Sequence, residues 1–293
     1  MKLLITDLDN TLYDWVTFFA RAFDAMTRAL EPIVGVSREQ LLDEFKTVHQ
    51  RYGNSEQPFA VLELPSVQAR FHTKDRTELK IAVDAALHAF NSERKRTLAL
   101  YPSVQNTLQT IRRRGVRIVG HTEAIAVNAV YRLRCLKVDE FFAHLYVLDG
   151  DALEHPDPDR GVTLEVPPGF IHAVPRDERK PNPKLLLDIC QSEGVEPRDA
   201  WYVGDSLSRD IAMAKDAGVV AVWAKYGTEY DRELWNILVR VTHWTAEDVR
   251  REELLRSRAA HVAPDFTVSS FGELLKIVDG ETARRARLDV GCR

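Results

Sequence analysis

Asp7-Leu8-Asp9-Asn10-Thr11 sets two carboxylates two positions apart at the end of the apolar run Lys2–Thr6. On a strand such residues face the same side, so the acids repel and each favours protonation of the other. A chain tolerates that where a cation or a reaction uses both. Further polar residues fall where the patterning ends other strands: Thr122 after Val116–His121, Lys180 before Pro181, and Gly204-Asp205 followed by Asp210. Three or four carboxylates, one lysine and two hydroxyls (Thr11, Thr122) gathered at one crevice suit phosphoryl transfer. One carboxylate can attack phosphorus. A second can hand a proton to the leaving oxygen. The lysine and the hydroxyls can hold the phosphoryl oxygens while charge redistributes. Mg²⁺ takes oxygen ligands octahedrally and is usually held by one or two carboxylates, and Asp7 with Asp205 would serve.

Such residues converge only if a parallel sheet brings its carboxyl ends together, because the active crevice of such a sheet lies outside those ends. From Tyr101 the patterning supplies one. Ser103 is read as the cap of a helix ending at Gly115, followed by strand Val116–Gly120, helix Ile125–Leu136, a strand near Ala143–Leu148, helix Pro183–Glu193, strand Ala200–Val203, helix Ser208–Ala217 and strand Val219–Ala224. Strand Phe266–Val268 and helix Phe271–Val278 close the series. Alternation of this kind predicts an α/β fold, a Rossmann-like doubly wound parallel sheet with helices on both faces.

Residues 15–98 read differently. Trp15–Leu30, Ser37–Arg51 and Arg76–Phe90 carry apolar residues at helical spacing, with no convincing strand among them. The expected organisation is therefore a core of residues 1–14 and 99–293 and a helical cap domain of 15–98. Two stretches interrupt the core: an extended loop, 149–178, with a possible hairpin of Val162–Val166 and Phe170–Val174, and a helical insertion, 229–260.

The chain has 293 residues, 45% of them apolar and 29% charged, with a formal net charge of −4. That balance makes no electrostatic case for nucleic acid. Three widely spaced cysteines form neither a metal pattern nor a disulfide framework, and a reduced, cytoplasmic compartment is expected. No stretch approaches 18 apolar residues, so no membrane span is expected.

Taken together, Asp7-Leu8-Asp9-Asn10-Thr11, Thr122, Lys180-Pro181 and Gly204-Asp205-Ser206-Leu207-Ser208-Arg209-Asp210 resemble, in order, the four motifs of the haloacid dehalogenase-like (HAD) hydrolase superfamily. The helical insertion after the first motif is similar to that family's first-type cap, which would set substrate choice. The resemblance implies that Asp7 is the nucleophile and forms an aspartyl-phosphate. Asp9 would be the general acid/base and give the metal its backbone carbonyl. Thr11, Thr122 and Lys180 would bind the phosphoryl group, Asp205 would bind Mg²⁺, and Asp210 would support the lysine or the metal. Glu123 stands where many relatives have Asn, and its carboxylate there could approach the metal or repel an anionic substrate. An acid at position 9 separates the phosphatase branch from the dehalogenases, which need no protonated leaving group.

The expectation is a Mg²⁺-dependent phosphatase, monomeric or homodimeric, acting on a small phosphorylated metabolite such as a nucleotide, flavin mononucleotide or a sugar phosphate. Arg51, Arg70, His72 and Lys74 of the cap are candidates to meet that substrate. The alternatives are a dehalogenase or phosphonatase-type hydrolase, or a non-catalytic binding protein on the same fold.

Overall fold

A computed structural model of the chain describes residues 1–56, 59–149, 165–259 and 261–280. Seven strands are present among them: β1 (Leu3–Thr6), β2 (Arg117–Ile125), β3 (His144–Leu148), β4 (Ile171–Val174), β5 (Ala200–Gly204), β6 (Val220–Ala224) and β7 (Phe266–Val268). They form one sheet in the order β4-β3-β2-β1-β5-β6-β7, and every pairing is parallel. The helices include α1 (Trp15–Val34), α2 (Arg38–Tyr52), α3 (Pro65–Phe71), α4 (Arg76–Ala82), α5 (Asp84–Thr97), α6 (Val104–Arg113), α7 (Ala126–Cys135), α8 (Pro183–Ser192), α9 (Ala212–Asp216), α10 (Arg232–Val241) and α11 (Ala246–Ala259), and residues 273–280 after β7 are helical as well.

The chain runs outward from β1 through β2 and β3 to β4, then returns to β5 on the other side of β1. The reversal falls beside β1, and a doubly wound sheet opens its crevice at such a switch point. β1 is buried throughout because helices cover both faces of a parallel sheet; Leu3, Leu4, Ile5 and Thr6 are fully buried. Its register sets Thr6 opposite Gly120 on β2 and Val203 on β5, so Asp7 follows at the carboxyl end of β1, level with the end of β5, while β2 runs on beside it.

Two units are distinguishable. The sheet unit comprises Met1–Asp14, Ala99–Glu229 and the chain from Leu254; the helical unit comprises Trp15–Leu98 and Tyr230–Glu253. The segment expected as a helical insertion of the core, 229–260, is thus divided, and α10 goes with the helical unit. Its stripe of Leu234, Leu238 and Val241 packs in one cluster with Phe23, Leu41 and Phe45, since an amphipathic helix must bury its apolar stripe against another. Polar links add to this: Lys46 Nζ donates to the Val239 carbonyl at 3.2 Å, and Arg240 pairs with Asp43 at 3.0 Å.

Several elements differ from the sequence reading. The expected helix Arg76–Phe90 breaks at Val83 into α4 and α5. Ser103 does not cap α6: its φ is +69° and its hydroxyl turns back to the Pro102 carbonyl. β2 continues past Gly120 to Ile125 with a register shift between Thr122 and Ile125. The helix expected from Ser208 begins as one wide π-type turn, Leu207–Ile211. In 149–178, Ile171–Val174 is a sheet strand parallel to β3. The other proposed hairpin arm, Val162–Val166, lies outside the described residues up to 164, and 165–166 form no strand. No described helix is long and apolar enough to cross a membrane.

Candidate active site

The site stands at the carboxyl end of β1, where Asp7 follows directly and is held by its backbone N–H to the Val203 carbonyl at 2.8 Å. Lys180, from the segment ahead of α8, is buried and donates from Nζ to Asp7 Oδ1 at 2.6 Å and to Asp210 Oδ1 at 2.9 Å. Asp210 enters through the wide turn after β5. Its Oδ2 accepts from the Ser206 N–H at 3.0 Å, and its Oδ1 also accepts from the Tyr202 hydroxyl at 3.1 Å. Gly204 has no side chain for a visible reason: a Cβ there would fall 2.4 Å from the Asp210 carboxyl carbon. Similarly, a Cβ on Gly227 would meet the Asn10 carbonyl oxygen at 1.9 Å, so the first motif's turn and the loop after β6 require that glycine.

The charges explain one another. Burial pushes the Asp7 carboxyl up to about 7 despite the pull of Lys180, and Asp210 and Asp9 add to the rise. Burial, with Asp210 and Asp7 nearby, raises Asp205 well above the carboxylate range. For Lys180, burial alone would favour the neutral amine; Asp210 and Asp7 outweigh it and hold the ammonium well above its ordinary value. The site is therefore short of positive charge.

A divalent cation fits that deficit. Asp7, Asp205 and Asp210 each bring a carboxylate oxygen within 4.8 Å of the others. Asp210 has both its oxygens occupied by Lys180, Tyr202 and Ser206. The Asp205 carboxylate, by contrast, receives no hydrogen bond from any described residue, while its backbone carbonyl is fixed by Trp223 Nε1 at 2.8 Å. Asp7 and Asp205 are thus the pair best able to hold a metal, with Asp210 bracing the lysine.

The remaining expected residues lie around this centre. Thr11 Oγ1 approaches Asp7 Oδ2 at 3.4 Å. The buried Thr122 hydroxyl accepts from the Ala124 N–H at 3.1 Å, leaving its own proton to donate. Asp9 Oδ1 accepts from the Tyr13 hydroxyl at 2.7 Å and from Arg132 Nη1 at 2.8 Å. Glu123 pairs with Arg209 at 3.0 Å, which ties the end of β2 to the turn after β5 and compensates the carboxylate. Of the cap candidates, Arg51 pairs with Glu63 at 3.3 Å and Arg70 lies 5.9 Å over the Phe71 ring, both within the helical unit.

Sequence reading missed Tyr202, His121 and Arg132 as parts of the site. His121 Nδ1 lies 3.3 Å from the Tyr202 hydroxyl. Burial, with Lys180 nearby, holds that imidazole well below its ordinary value, so His121 is neutral and can donate to Tyr202, which donates to Asp210. Tyr202 resembled any apolar residue of a buried strand. A histidine ending one strand beside a tyrosine within another was the available signal.

Comparison with known proteins identifies the family. The family model for haloacid dehalogenase-like hydrolases matches residues 1–218, and a second, HAD-hydrolase-like, matches 178–274. A glyceraldehyde 3-phosphate phosphatase of Methanopyrus kandleri is 27% identical over 236 residues, 80% of this chain and 88% of the relative. A phosphoglycolate phosphatase of Pseudomonas putida is 28% identical over 235 residues, 80% of this chain and 72% of the relative. Among solved structures, a 2-haloacid dehalogenase from Pseudomonas syringae superposes with a TM-score of 0.55 at 20% identity, covering 95% of this chain and 98% of its own. At that identity the likeness concerns the fold. With four motifs converging at one switch point and a family model spanning residues 1–218, the chain belongs to the haloacid dehalogenase-like hydrolases.

Proposed function

We propose that this phosphatase of the haloacid dehalogenase-like family hydrolyses a small phosphomonoester through an aspartyl-phosphate on Asp7, with Mg²⁺ as its metal. The observation that carries the reading is the buried Lys180 ammonium shared by Asp7 and Asp210 beside the Asp205 carboxylate. A nucleophile braced by a fixed cation, next to carboxylates fit for a metal, serves phosphoryl transfer, whose demands are position and charge stabilisation.

In this reading Asp7 attacks phosphorus in line with the ester oxygen; the new P–O bond forms on Asp7 as the ester P–O bond breaks. Asp9 gives its proton to the departing alkoxide, then takes one from the water that releases phosphate. Lys180, Thr11 and Thr122 receive the phosphoryl oxygens. Asp7, Asp205 and the Asp9 backbone carbonyl would hold the metal, which supplies positive charge against the transferring group. Glu123 and Arg209 pair at the rim. Asp9 disfavours the dehalogenase alternative, because halide leaves without a proton.

The relatives' names support a substrate among short phosphorylated carbon chains of the phosphoglycolate or glyceraldehyde 3-phosphate kind. A monomer or homodimer in the cytoplasm accords with this reading. Phosphate release should be measured over phosphoglycolate, glyceraldehyde 3-phosphate, nucleoside monophosphates, flavin mononucleotide and hexose phosphates, with and without Mg²⁺. Turnover is expected to be highest on a two- or three-carbon ester and only with the metal; absence of release from every ester would overturn the reading.

A further inference from the structure

Arg132 lies on the inward face of α7, where Ala129, Val130 and Leu133 are buried. It is itself fully buried. A guanidinium in such a place is costly unless it is paired and hydrogen-bonded. Arg134, two residues on, shows the ordinary use of arginine on this helix: half-exposed, near the half-exposed Asp139 at 3.8 Å. Arg132 instead reaches across to the first motif. Its Nη1 donates to Asp9 Oδ1 at 2.8 Å and to the Tyr13 hydroxyl at 3.4 Å, and that hydroxyl donates to the same Asp9 oxygen at 2.7 Å.

The side chain of Arg132 is 1% exposed and that of Asp9 26%, so Asp9 is gripped on its buried side and open on the other. An apolar side chain would fill the α7 position at no ionic cost, and replacing a buried ion pair by apolar residues is often neutral for stability. Stability alone therefore gives little reason for an arginine here.

We propose that Arg132, with Tyr13, is a positioning residue for the reaction: together they fix the Asp9 carboxylate so that it meets the leaving oxygen. This rests on the phosphatase reading above, in which Asp9 transfers the proton. Misplacing a reacting group by about 1 Å can cost on the order of 10²-fold in rate. The loss should fall where Asp9 is needed most, on an ester whose alkoxide must be protonated, and least on one whose nitrophenolate leaves unaided.

The test compares Arg132→Met, Arg132→Lys and Tyr13→Phe on glycerol phosphate and p-nitrophenyl phosphate, alone and with Asp9→Asn. Arg132→Met should lower kcat on glycerol phosphate by roughly 10²-fold with KM within about threefold, and lower the nitrophenolate burst rate much less. Arg132→Lys should recover part of the loss. Residues that act as a unit are non-additive, so in the Asp9→Asn background Arg132→Met should change kcat by less than about twofold. Equal losses on both esters, or losses that multiply with Asp9→Asn, would overturn the proposal while leaving the phosphatase reading intact. A wild-type enzyme that releases no phosphate from any ester would end both. Should Arg132→Met not fold, Tyr13→Phe and Arg132→Lys carry the same cycle. A parallel urea-unfolding cycle reads the contact without substrate: coupling of at least about threefold in the unfolding constant is expected, and additive stabilities would overturn the pairing itself.

Discussion

Lys180 Nζ lies 2.6 Å from Asp7 Oδ1, and both side chains are almost wholly removed from water. The distance defines a charge-assisted hydrogen bond. The lysine thereby holds the carboxylate that would attack and stands where phosphoryl oxygens would arrive. Replacing it with Met should cost on the order of 10²–10³ in kcat, the typical effect of removing one preorganised donor. Arg179→Ala is the control: Arg179 is half-buried and donates to the Arg176 carbonyl at 3.1 Å in a solvent-exposed bond, and its loss should change kcat by less than about twofold. Near-UV circular dichroism at 25 °C would confirm that Lys180→Met is folded, and unchanged turnover in that folded variant would remove Lys180 from the site.

Asp205 offers a prediction for the metal. Its carboxylate has no described hydrogen-bond donor and stands beside Asp7 and Asp210. Exhaustive chelation should abolish phosphate release and Mg²⁺ should restore it. Asp205→Asn should shift the Mg²⁺ dependence to at least tenfold higher concentration. Isothermal titration of the substrate-free protein gives a readout apart from turnover: wild type should bind Mg²⁺ and Asp205→Asn should bind it more weakly. Identical affinities would exclude Asp205 as a ligand.

The first-motif acids, Lys180 and Asp205 were legible in the sequence because their types are unusual at the ends of apolar runs and because a parallel sheet leaves those ends together. Asp210 was legible as a residue that supports the lysine or the metal, but its two-oxygen hold on Lys180 and Ser206 depends on the wide turn 207–211, which no periodicity announces. Arg132 was not legible as a partner of Asp9. The two lie 123 positions apart, and only the β1–β2 register followed by α7 brings them together. The apolar stripe of α10 showed that the helix packs against something, but periodicity does not say what; hence 230–253 was first read with the sheet unit.

His49 carries a pH prediction within the helical unit. It is fully buried among Phe23 and Phe45, its Nδ1–H donates to the Val241 carbonyl, and its Nε2 has no described partner. Burial lowers it to about 4, against the hydrogen bond to Val241 and with help from His243. Because the folded state keeps the ring neutral, the unfolded chain binds more protons below its ordinary value near 6.5. Stability from this residue is complete above about pH 6.5 and is lost as pH falls toward 4. The loss approaches roughly 3 kcal/mol, from about 1.4 kcal/mol per pKa unit. Urea unfolding of wild type and His49→Gln should show the wild type losing more stability between pH 7 and pH 4.5. Parallel curves for the two proteins would contradict the buried neutral imidazole.

Asp7 and Asp9 should be separable by substitution. Asp7→Asn removes the attacking oxygen anion, so no covalent adduct should form on any ester. Asp9→Asn leaves that attack possible but takes away the proton carrier, and general acid–base catalysis is typically worth 10²–10⁴-fold. With p-nitrophenyl phosphate the first step needs little protonation, so Asp9→Asn should be phosphorylated on Asp7 and discharge slowly. Rapid quenching followed by intact-mass measurement would detect the adduct, and peptide mapping after borohydride trapping would locate it. An adduct on Asp9 would reverse the assignment. Solvent oxygen gives an independent check. In a single turnover in labelled water, attack of water on phosphorus places the label in released phosphate and leaves Asp7 unlabelled. Label in Asp7 would instead mean that water attacks the carboxyl carbon, the route by which an ester of an aspartate with carbon is opened in dehalogenation. In either case Asp7, held by Lys180, remains the nucleophile; only an adduct on Asp9, held by Arg132 with Tyr13, exchanges the two roles.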